Sequence, residues 1–277
     1  MVQQVISDLK ISLHEALYLD LDDLGLEVQG TEVISRFIGV QLKSAFQPIL
    51  DTQKNETFGF EALLRPSIGP ETLTPEFAFD FADKQGRLVK LDRVARTLHM
   101  LNYLQLSESD RGLLFLNVHP KLLATVSAHG KVFEKVLHKH SVPTRQVVIE
   151  IQEHGVDIDK HLEDAINNYR DRNYLIAFDG FGGKRSTLGR LWRYSPDYIK
   201  IDGGIIRDAE ASIKVRRVLG HLVAIAQDLG AKIIVQGVEN ATQYDIAINA
   251  GATLLQGYHL GRPGVWLNEE SNFKAVA

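Results

Sequence analysis

The strongest constraint in this chain is a rhythm. Eight short apolar runs, at 44–50, 58–64, 113–118, 147–151, 175–178, 198–201, 232–235 and 253–256, alternate with longer stretches of helical periodicity. The runs are rich in Ile, Val, Leu and Phe, and several are apolar throughout, as strands covered on both faces must be. Helical patterns occupy 88–104, 121–138, 160–172, 213–229 and 241–249. In the stretch 213–229, Ile213, Arg217, Gly220, Val223 and Ala224 fall near one face, and Gly230 stops the helix. This alternation predicts an α/β chain folded as a (β/α)8 barrel, an architecture of typically ~250 residues. The alternative, a doubly wound open sheet, lacks its GxGxxG turn. The glycine cluster at Gly180, Gly182 and Gly183 matches neither that fingerprint nor a Walker A loop.

The rest of the chain sets the boundaries. Residues 1–40 carry Val5, Ile6, Leu9, Leu13, Ala16 and Leu17 at helical spacing, then the acidic Asp20, Asp22 and Asp23. They predict an N-terminal helical extension packed on the outside of a barrel at 41–265; a homodimer or protein-partner contact is the alternative. Residues 266–277 form a short tail. No cysteine is present, which excludes disulfides, thiolate catalysis and Cys-based zinc sites. A net charge of −4 supplies no broad field for a nucleic-acid polymer. No secretory h-region or membrane-spanning run occurs, so the expected location is cytoplasmic.

Polar residues stand at the C-terminal ends of the predicted strands. They are Glu61 and Arg65, Asn117, Glu150 and Glu153, Asp179, Lys200 and Asp202, Gln236 and Glu239, and Gln256. In a barrel these ends converge on the face where binding and catalytic groups gather. A single carboxylate there is most simply a salt bridge or loop cap; a polar group closing strand after strand is not. Glu61, Asn117, Glu150 and Asp179 make an all-oxygen set suited to a hard dication such as Mg²⁺ or Mn²⁺. Lys200 and Arg65 suit a phosphate.

These blocks are also ordered. Gln47-Pro48-Ile49, Glu61-Ala62-Leu63-Leu64-Arg65-Pro66, Leu91-Asp92-Arg93, Leu116-Asn117-Val118, Glu150-Ile151-Gln152-Glu153, Asp179-Gly180-Phe181-Gly182, Asp197-Tyr198-Ile199-Lys200-Ile201-Asp202, Gln236-Gly237-Val238-Glu239 and Gln256-Gly257-Tyr258 follow one another along the chain. In that order the chain resembles the EAL-domain family over residues 41–265. The resemblance implies a barrel whose first strand is antiparallel, and a ligand, cyclic di-GMP, that active members linearise with two Mg²⁺ or Mn²⁺ ions. It implies a first metal on Glu61, Asn117, Glu150 and Asp179, and Lys200 positioning water or phosphate. It implies ligand contacts from Gln47, Glu61, Leu63, Arg65, Asp92, Glu239 and Gln256, and loop support from Glu153.

Two positions depart from the family pattern. The second Asp of Asp-Asp-Phe-Gly is Gly180, and the first Glu of Glu-Gly-Val-Glu is Gln236. In active members these carboxylates help form the second metal site. Ions ~3.5–4 Å apart need anionic ligands against their mutual repulsion. The expectation is one retained cation, a lost second one, and a regulator that binds cyclic di-GMP or a protein without efficient hydrolysis. The alternative is an active or weakly active phosphodiesterase. Lys184 and Arg185, which follow, read equally as a solvated pair. His119 reads as structural, and Phe77, Phe79 and Phe81 as core or cleft wall.

Overall fold

The computed structural model describes residues 25–126, 129–152, 155–156, 158–183 and 188–265. Its strands are β1 (Leu26–Gln29), β2 (Glu32–Phe37), β3 (Val40–Asp51), β4 (Glu56–Ile68), β5 (Glu71–Thr72), β6 (Leu113–Val118), β7 (Val147–Ile151), β8 (Leu175–Phe181), β9 (Tyr198–Ile201), β10 (Lys232–Val235) and β11 (Leu254–Leu255). Its α-helices are α1 (Pro75–Lys84), α2 (Leu88–Tyr103), α3 (Pro120–Thr125), α4 (Lys131–Lys139), α5 (Asp159–Arg170), α6 (Leu188–Tyr194), α7 (Gly203–Ala211), α8 (Ile213–Asp228) and α9 (Ala241–Asn249).

The sheet runs β3-β11-β10-β9-β8-β7-β6-β4 and closes through β3–β4 pairing, an eight-stranded barrel. β3 lies antiparallel to both β4 and β11, whereas the other ring contacts are parallel. The expected barrel and its antiparallel first strand are both present. Among the described residues, no helix is long and apolar enough to cross a membrane.

Strand periodicity fills the interior. Ile49, Phe115, Val148, Ala177, Tyr198, Ile234 and Leu254, one from each of seven strands, form an apolar cluster with Phe58 of β4 packed against it. Side chains two residues along a strand share a face. The next interior layer is therefore Gln47, Asn117, Glu150, Asp179, Lys200, Gln236 and Gln256, and β4 adds Glu61 through the pair Gln47↔Glu61. A larger apolar core lies between the barrel and its helices, including Leu91, Leu98, Ile149, Ile199 and Val235.

Several expectations are corrected. The helical spacing at 5–17 lies outside the described residues, as do 266–277, but residues 26–29 and 32–37 of the expected helical extension are strand. β2 pairs antiparallel with β3, and the Asn102 side chain bonds both Val33 N–H (2.9 Å) and Val33 C=O (2.8 Å). The hairpin was not predicted because its β2–β3 turn is Ile38-Gly39, both at positive φ, rather than the usual Asn-Gly. The single helix expected at 121–138 is two, with left-handed Gly130 capping α4. On α8 the buried residues are Leu219, Val223 and Ala226, so of the predicted face only Val223 packs inward; Ile213 stays 62% exposed. Phe77 is exposed on α1, whose buried residues are Ala78 and Ala82.

Candidate active site at the barrel mouth

Lys200 organises the polar layer. β9 carries it inward, and its side chain is fully buried. Its Nζ donates to Glu61 Oε2 at 2.7 Å and to Glu150 Oε1 at 2.5 Å. Glu61 also accepts from Asn117 Nδ2 at 3.0 Å and from Gln256 Nε2 at 2.8 Å. Gln256 Nε2 lies 3.4 Å from Gln47 Oε1, and Gln47 Nε2 donates to the Gly261 carbonyl at 3.2 Å. Six strands thus meet in one network. The structure brings together Gln47, Glu61, Asn117, Glu150, Lys200 and Gln256 as the sequence anticipated.

The charges in this network are unequal in their protection. Burial works against every one of them. For Lys200 the charges of Glu150, Glu61 and Asp179 outweigh it and hold the ammonium well above its usual range. For Glu61, the Lys200 charge and hydrogen bonds from Lys200, Gln256 and Asn117 overcome burial and hold its carboxyl below the ordinary value. Burial followed by repulsion from Glu61 pushes Glu150 well up, against the pull of Lys200. Burial also raises Asp179, opposed by Lys200 and a hydrogen bond from the Gln236 side chain.

β8 positions Asp179 through a bulge. Phe178 pairs with Ile199 and Phe181 with Ile201, so Asp179 and Gly180 span what one residue spans on β9. Gly180 has φ +73°, the left-handed conformation that such bulges reserve for glycine. The bulge supplies no side chain beside Asp179.

The donor chemistry fits one hard cation. Glu150 Oε2, Asp179 Oδ1 and Gln256 Oε1 are buried without a hydrogen-bond partner, and oxygens of this kind are what a Mg²⁺-like ion would satisfy. Among the described residues, no three acidic or histidine groups converge as a ready metal cluster. The Lys200 ammonium stands between two of the candidate ligands, Glu61 and Glu150, and supplies the countercharge there. Beside Asp179, Gly180 has no side-chain donor and Gln236 offers a neutral amide oxygen.

Other predicted residues sit apart from this cluster. Leu63 and Arg65 lie farther along β4, both half-buried, opposite Ala45 and Lys43 of β3. Arg65 donates to the Leu64 carbonyl at 3.1 Å and has no carboxylate partner among the described residues. Asp92 is buried on α2 and ion-paired with Arg96 one turn on, while Arg96 donates to Tyr169 Oη at 3.1 Å. The buried Arg96 and Tyr169 were missed because only the contact between α2 and α5 relates them. Glu239 is exposed, and its N–H donates to Gln243 Oε1 at 2.7 Å. Asp202 caps α7, accepting from Gly204 N–H at 2.7 Å. His119 caps α3 and stacks on Phe79, the expected structural role. Glu153, Lys184 and Arg185 lie outside the described residues.

The sequence and fold match known proteins. The EAL domain model matches residues 31–263, beginning inside the hairpin rather than at residue 41. Among curated relatives, the probable cyclic di-GMP phosphodiesterase PdeN of Escherichia coli strain K12 is 28% identical over 244 residues, 84% of this chain and 46% of that protein. The EAL-domain protein YkuI of Bacillus subtilis strain 168 is 28% identical over 224 residues, 79% of this chain and 54% of that protein. The chain thus spans about half the length of the curated relatives it matches. Among solved structures, Klebsiella pneumoniae BlrP1 in its calcium and cyclic di-GMP complex superposes with TM-score 0.72 at 26% identity, covering 80% of this chain and 56% of that one. YkuI with cyclic di-GMP and calcium superposes with TM-score 0.69 at 25% identity, covering 82% and 56%. By the extent of the family match, this chain belongs to the EAL-domain family.

Proposed function

We propose that this chain binds cyclic di-GMP at the barrel mouth and has lost efficient hydrolysis. The observation that carries the reading is the pair of departures at the ends of β8 and β10. Gly180 stands there without a side chain, and Gln236 is a neutral amide near Asp179. Relatives bound to cyclic di-GMP supply the ligand class. Arg65, without a carboxylate partner, is the residue for a ligand phosphate. Asp92, taken up by Arg96, is a weaker candidate for a base edge than the family pattern implies. Glu61, Asn117, Glu150 and Asp179 would hold one Mg²⁺ or Mn²⁺, which when bound would offset phosphate charge and polarise its oxygens. Lys200 would keep the carboxylates compatible in its absence. A cytoplasmic location goes with this reading. A protein partner or a homodimer is the further possibility that the missing carboxylates open.

Titration calorimetry with cyclic di-GMP, with and without Mn²⁺, and product analysis on the same samples test the reading. The expected result is micromolar or tighter binding, at least tenfold weaker in Arg65→Ala, with negligible product. Hydrolysis at the rate of an intact family member would overturn the loss of catalysis; absent binding would overturn the ligand. The second reading, weak turnover by one cation, is favoured by the intact Glu61, Asn117, Glu150, Asp179 and Lys200 set. It requires metal-dependent product that Glu61→Ala abolishes.

A further inference from the structure

The ribbon of β3 and β4 continues outward past the ring, and one of its faces is charged. Side chains alternate along both strands. Ser44 and Phe46 of β3 are buried and meet His99 of α2. The other face carries Gln47 and Lys43 of β3 with Glu61 and Arg65 of β4, in the register Gln47↔Glu61 and Lys43↔Arg65. The register shift of this pair lies between Ile49 and Leu50, outside the stretch 43–47. Lys43 and Arg65 therefore extend the face that holds Gln47 and Glu61 in the mouth, four residues or about 13 Å farther out.

Two cations directly opposite one another on neighbouring strands repel, and the pairing is unfavourable unless an anion joins it. The 26–37 hairpin supplies one anion. Glu32 of β2 accepts from Lys43 Nζ at 3.0 Å. Arg65 has no carboxylate among the described residues, and its guanidinium donates to the neighbouring Leu64 carbonyl at 3.1 Å. Glu32 thus satisfies Lys43 alone. The Lys43 side chain is 37% exposed and that of Glu32 18%, so their pair is partly solvated and weakly held. A phosphate diester offers oxygens that a guanidinium fork and an ammonium can take together.

We propose that Lys43 joins Arg65 in holding a phosphate of the bound ligand, and that Glu32 occupies the Lys43 ammonium until that phosphate displaces it. Lys43 is then a binding residue that none of the sequence blocks contains. Glu32 is a positioning residue, which sets how freely Lys43 turns to the ligand. That the phosphate belongs to cyclic di-GMP rests on the function proposed for the mouth; the cation pair does not. A phosphate at this level lies beyond the carboxylate layer around Lys200. Its charge is met there by side-chain cations, whether or not a metal is bound. The hairpin is thereby tied to the site, since β2 carries Glu32 and is anchored to α2 through Asn102 and Val33.

Calorimetric titration of the full chain with cyclic di-GMP in metal-free buffer tests this, with urea midpoints confirming that each variant is folded. Lys43→Met should weaken binding about fivefold or more, and Lys43→Arg should stay within about twofold of the parent. Glu32→Gln should tighten binding about three- to tenfold, a direction that damage to the fold does not produce. In a Lys43→Met background the same Glu32→Gln change should add nothing, because its effect passes through Lys43. Lys54 lies in the turn at the other end of β3 and β4, its Nζ 3.5 Å from Glu56. Lys54→Met removes an equal charge there and should leave the affinity within about twofold.

An unchanged affinity in Lys43→Met, or a loss no greater than in Lys54→Met, would overturn the role of Lys43. Unchanged or weaker binding in Glu32→Gln would overturn the displacement of Glu32. If neither the parent nor Glu32→Gln binds cyclic di-GMP, the ligand proposed for the mouth fails, and titration with inorganic pyrophosphate followed by ³¹P resonance decides the cation pair. Pyrophosphate binding that Lys43→Met weakens and Glu32→Gln strengthens would uphold the pair as a phosphate site. Pyrophosphate binding indifferent to Lys43, or none, would overturn it.

Discussion

Two sets of strand ends at the barrel mouth handle negative charge differently. From β4 and β7, Glu61 and Glu150 remain carboxylates, and one buried ammonium from β9 lies between them at 2.7 and 2.5 Å. At the ends of β8 and β10, two carboxylates of the family pattern are replaced by Gly180 and Gln236, and Asp179 remains. Asp179 stands beside a glycine bulge, and the neutral Gln236 amide favours its charged form. The first set meets repulsion by pairing and the second by deletion of all but Asp179. The paired set keeps the anionic oxygens that a dication would need, whereas Gly180 and Gln236 contribute no charge. The proposed recognition without efficient cleavage rests on this contrast.

Removing Lys200 attacks the paired set and carries the largest expected effect. Lys200→Met leaves two buried carboxylates facing one another, a change that costs about 3–5 kcal/mol. Denaturant midpoints should fall accordingly, and adding Glu150→Gln should return at least half of the loss. A Lys200→Met protein within about 1 kcal/mol of the parent, on the scale of an exposed pair, would show that pairing is not what holds this set. Next in size is reconstruction of the deleted set. Gly180→Asp with Gln236→Glu should raise Mn²⁺-dependent cyclic di-GMP hydrolysis at least ~100-fold, about 2.7 kcal/mol of barrier. Either single change should leave the rate within about tenfold of the parent, since one carboxylate does not make a second metal site. The Asp at 180 must accept a left-handed backbone, which costs roughly 1–2 kcal/mol in stability. If the double variant stays inactive while folded, the segment beyond Gly183 shares the defect.

Gln236→Glu alone sharpens the contrast further. The substitution replaces a neutral amide that favours the charged form of Asp179 with a second carboxylate. The expected loss is about 1–3 kcal/mol at pH 7. It should shrink as pH falls and one of the two carboxyls takes a proton, a sign readable from urea midpoints at two pH values. A loss that is independent of pH would mean that the Gln236 contact is one of shape.

The barrel mouth was legible in the sequence because strand periodicity alone generates it. An apolar residue and a polar one two positions later recur at Phe115 and Asn117, Val148 and Glu150, Tyr198 and Lys200, and Leu254 and Gln256. What escaped depends on contacts between distant segments. The 26–37 hairpin joins β3 through Ile38 at φ +50°, a conformation that a β-branched residue seldom announces, and Asn102 fixes its edge from α2. The Asp92–Arg96 pair is local in sequence, but its burial against Tyr169 is not. Gln236 looked like a missing charge, whereas beside the bulge at Gly180 its neutral amide favours the charged form of Asp179. The α8 periodicity marked a face that the fold leaves largely outward, with Ile213 exposed.

A third place separates burial from pairing. His99 on α2 is buried beside β3 and β4, the latter carrying Glu61 and Arg65, and its Nδ1 lies 2.8 Å from Ser44 Oγ. Among the described residues no carboxylate pairs with it. Burial, and then the positive charge of Arg65, push its pKa from the usual 6.5 down to about 3. A histidine depressed in the folded state binds its proton first in the unfolded chain. Its contribution to stability is therefore present above pH 6.5 and is lost as pH falls from there toward 3, at about 1.4 kcal/mol per pH unit. His129, lowered to about 4 by burial and by Arg96, acts with the same sign. His99→Gln should remove about one proton from the acid slope of stability between pH 6 and 4 and leave the His129 slope in place. Urea midpoints at three pH values in that window measure it. An unchanged slope would mean that His99 is protonated in the fold, and that the ground beneath Arg65 carries charge of its own.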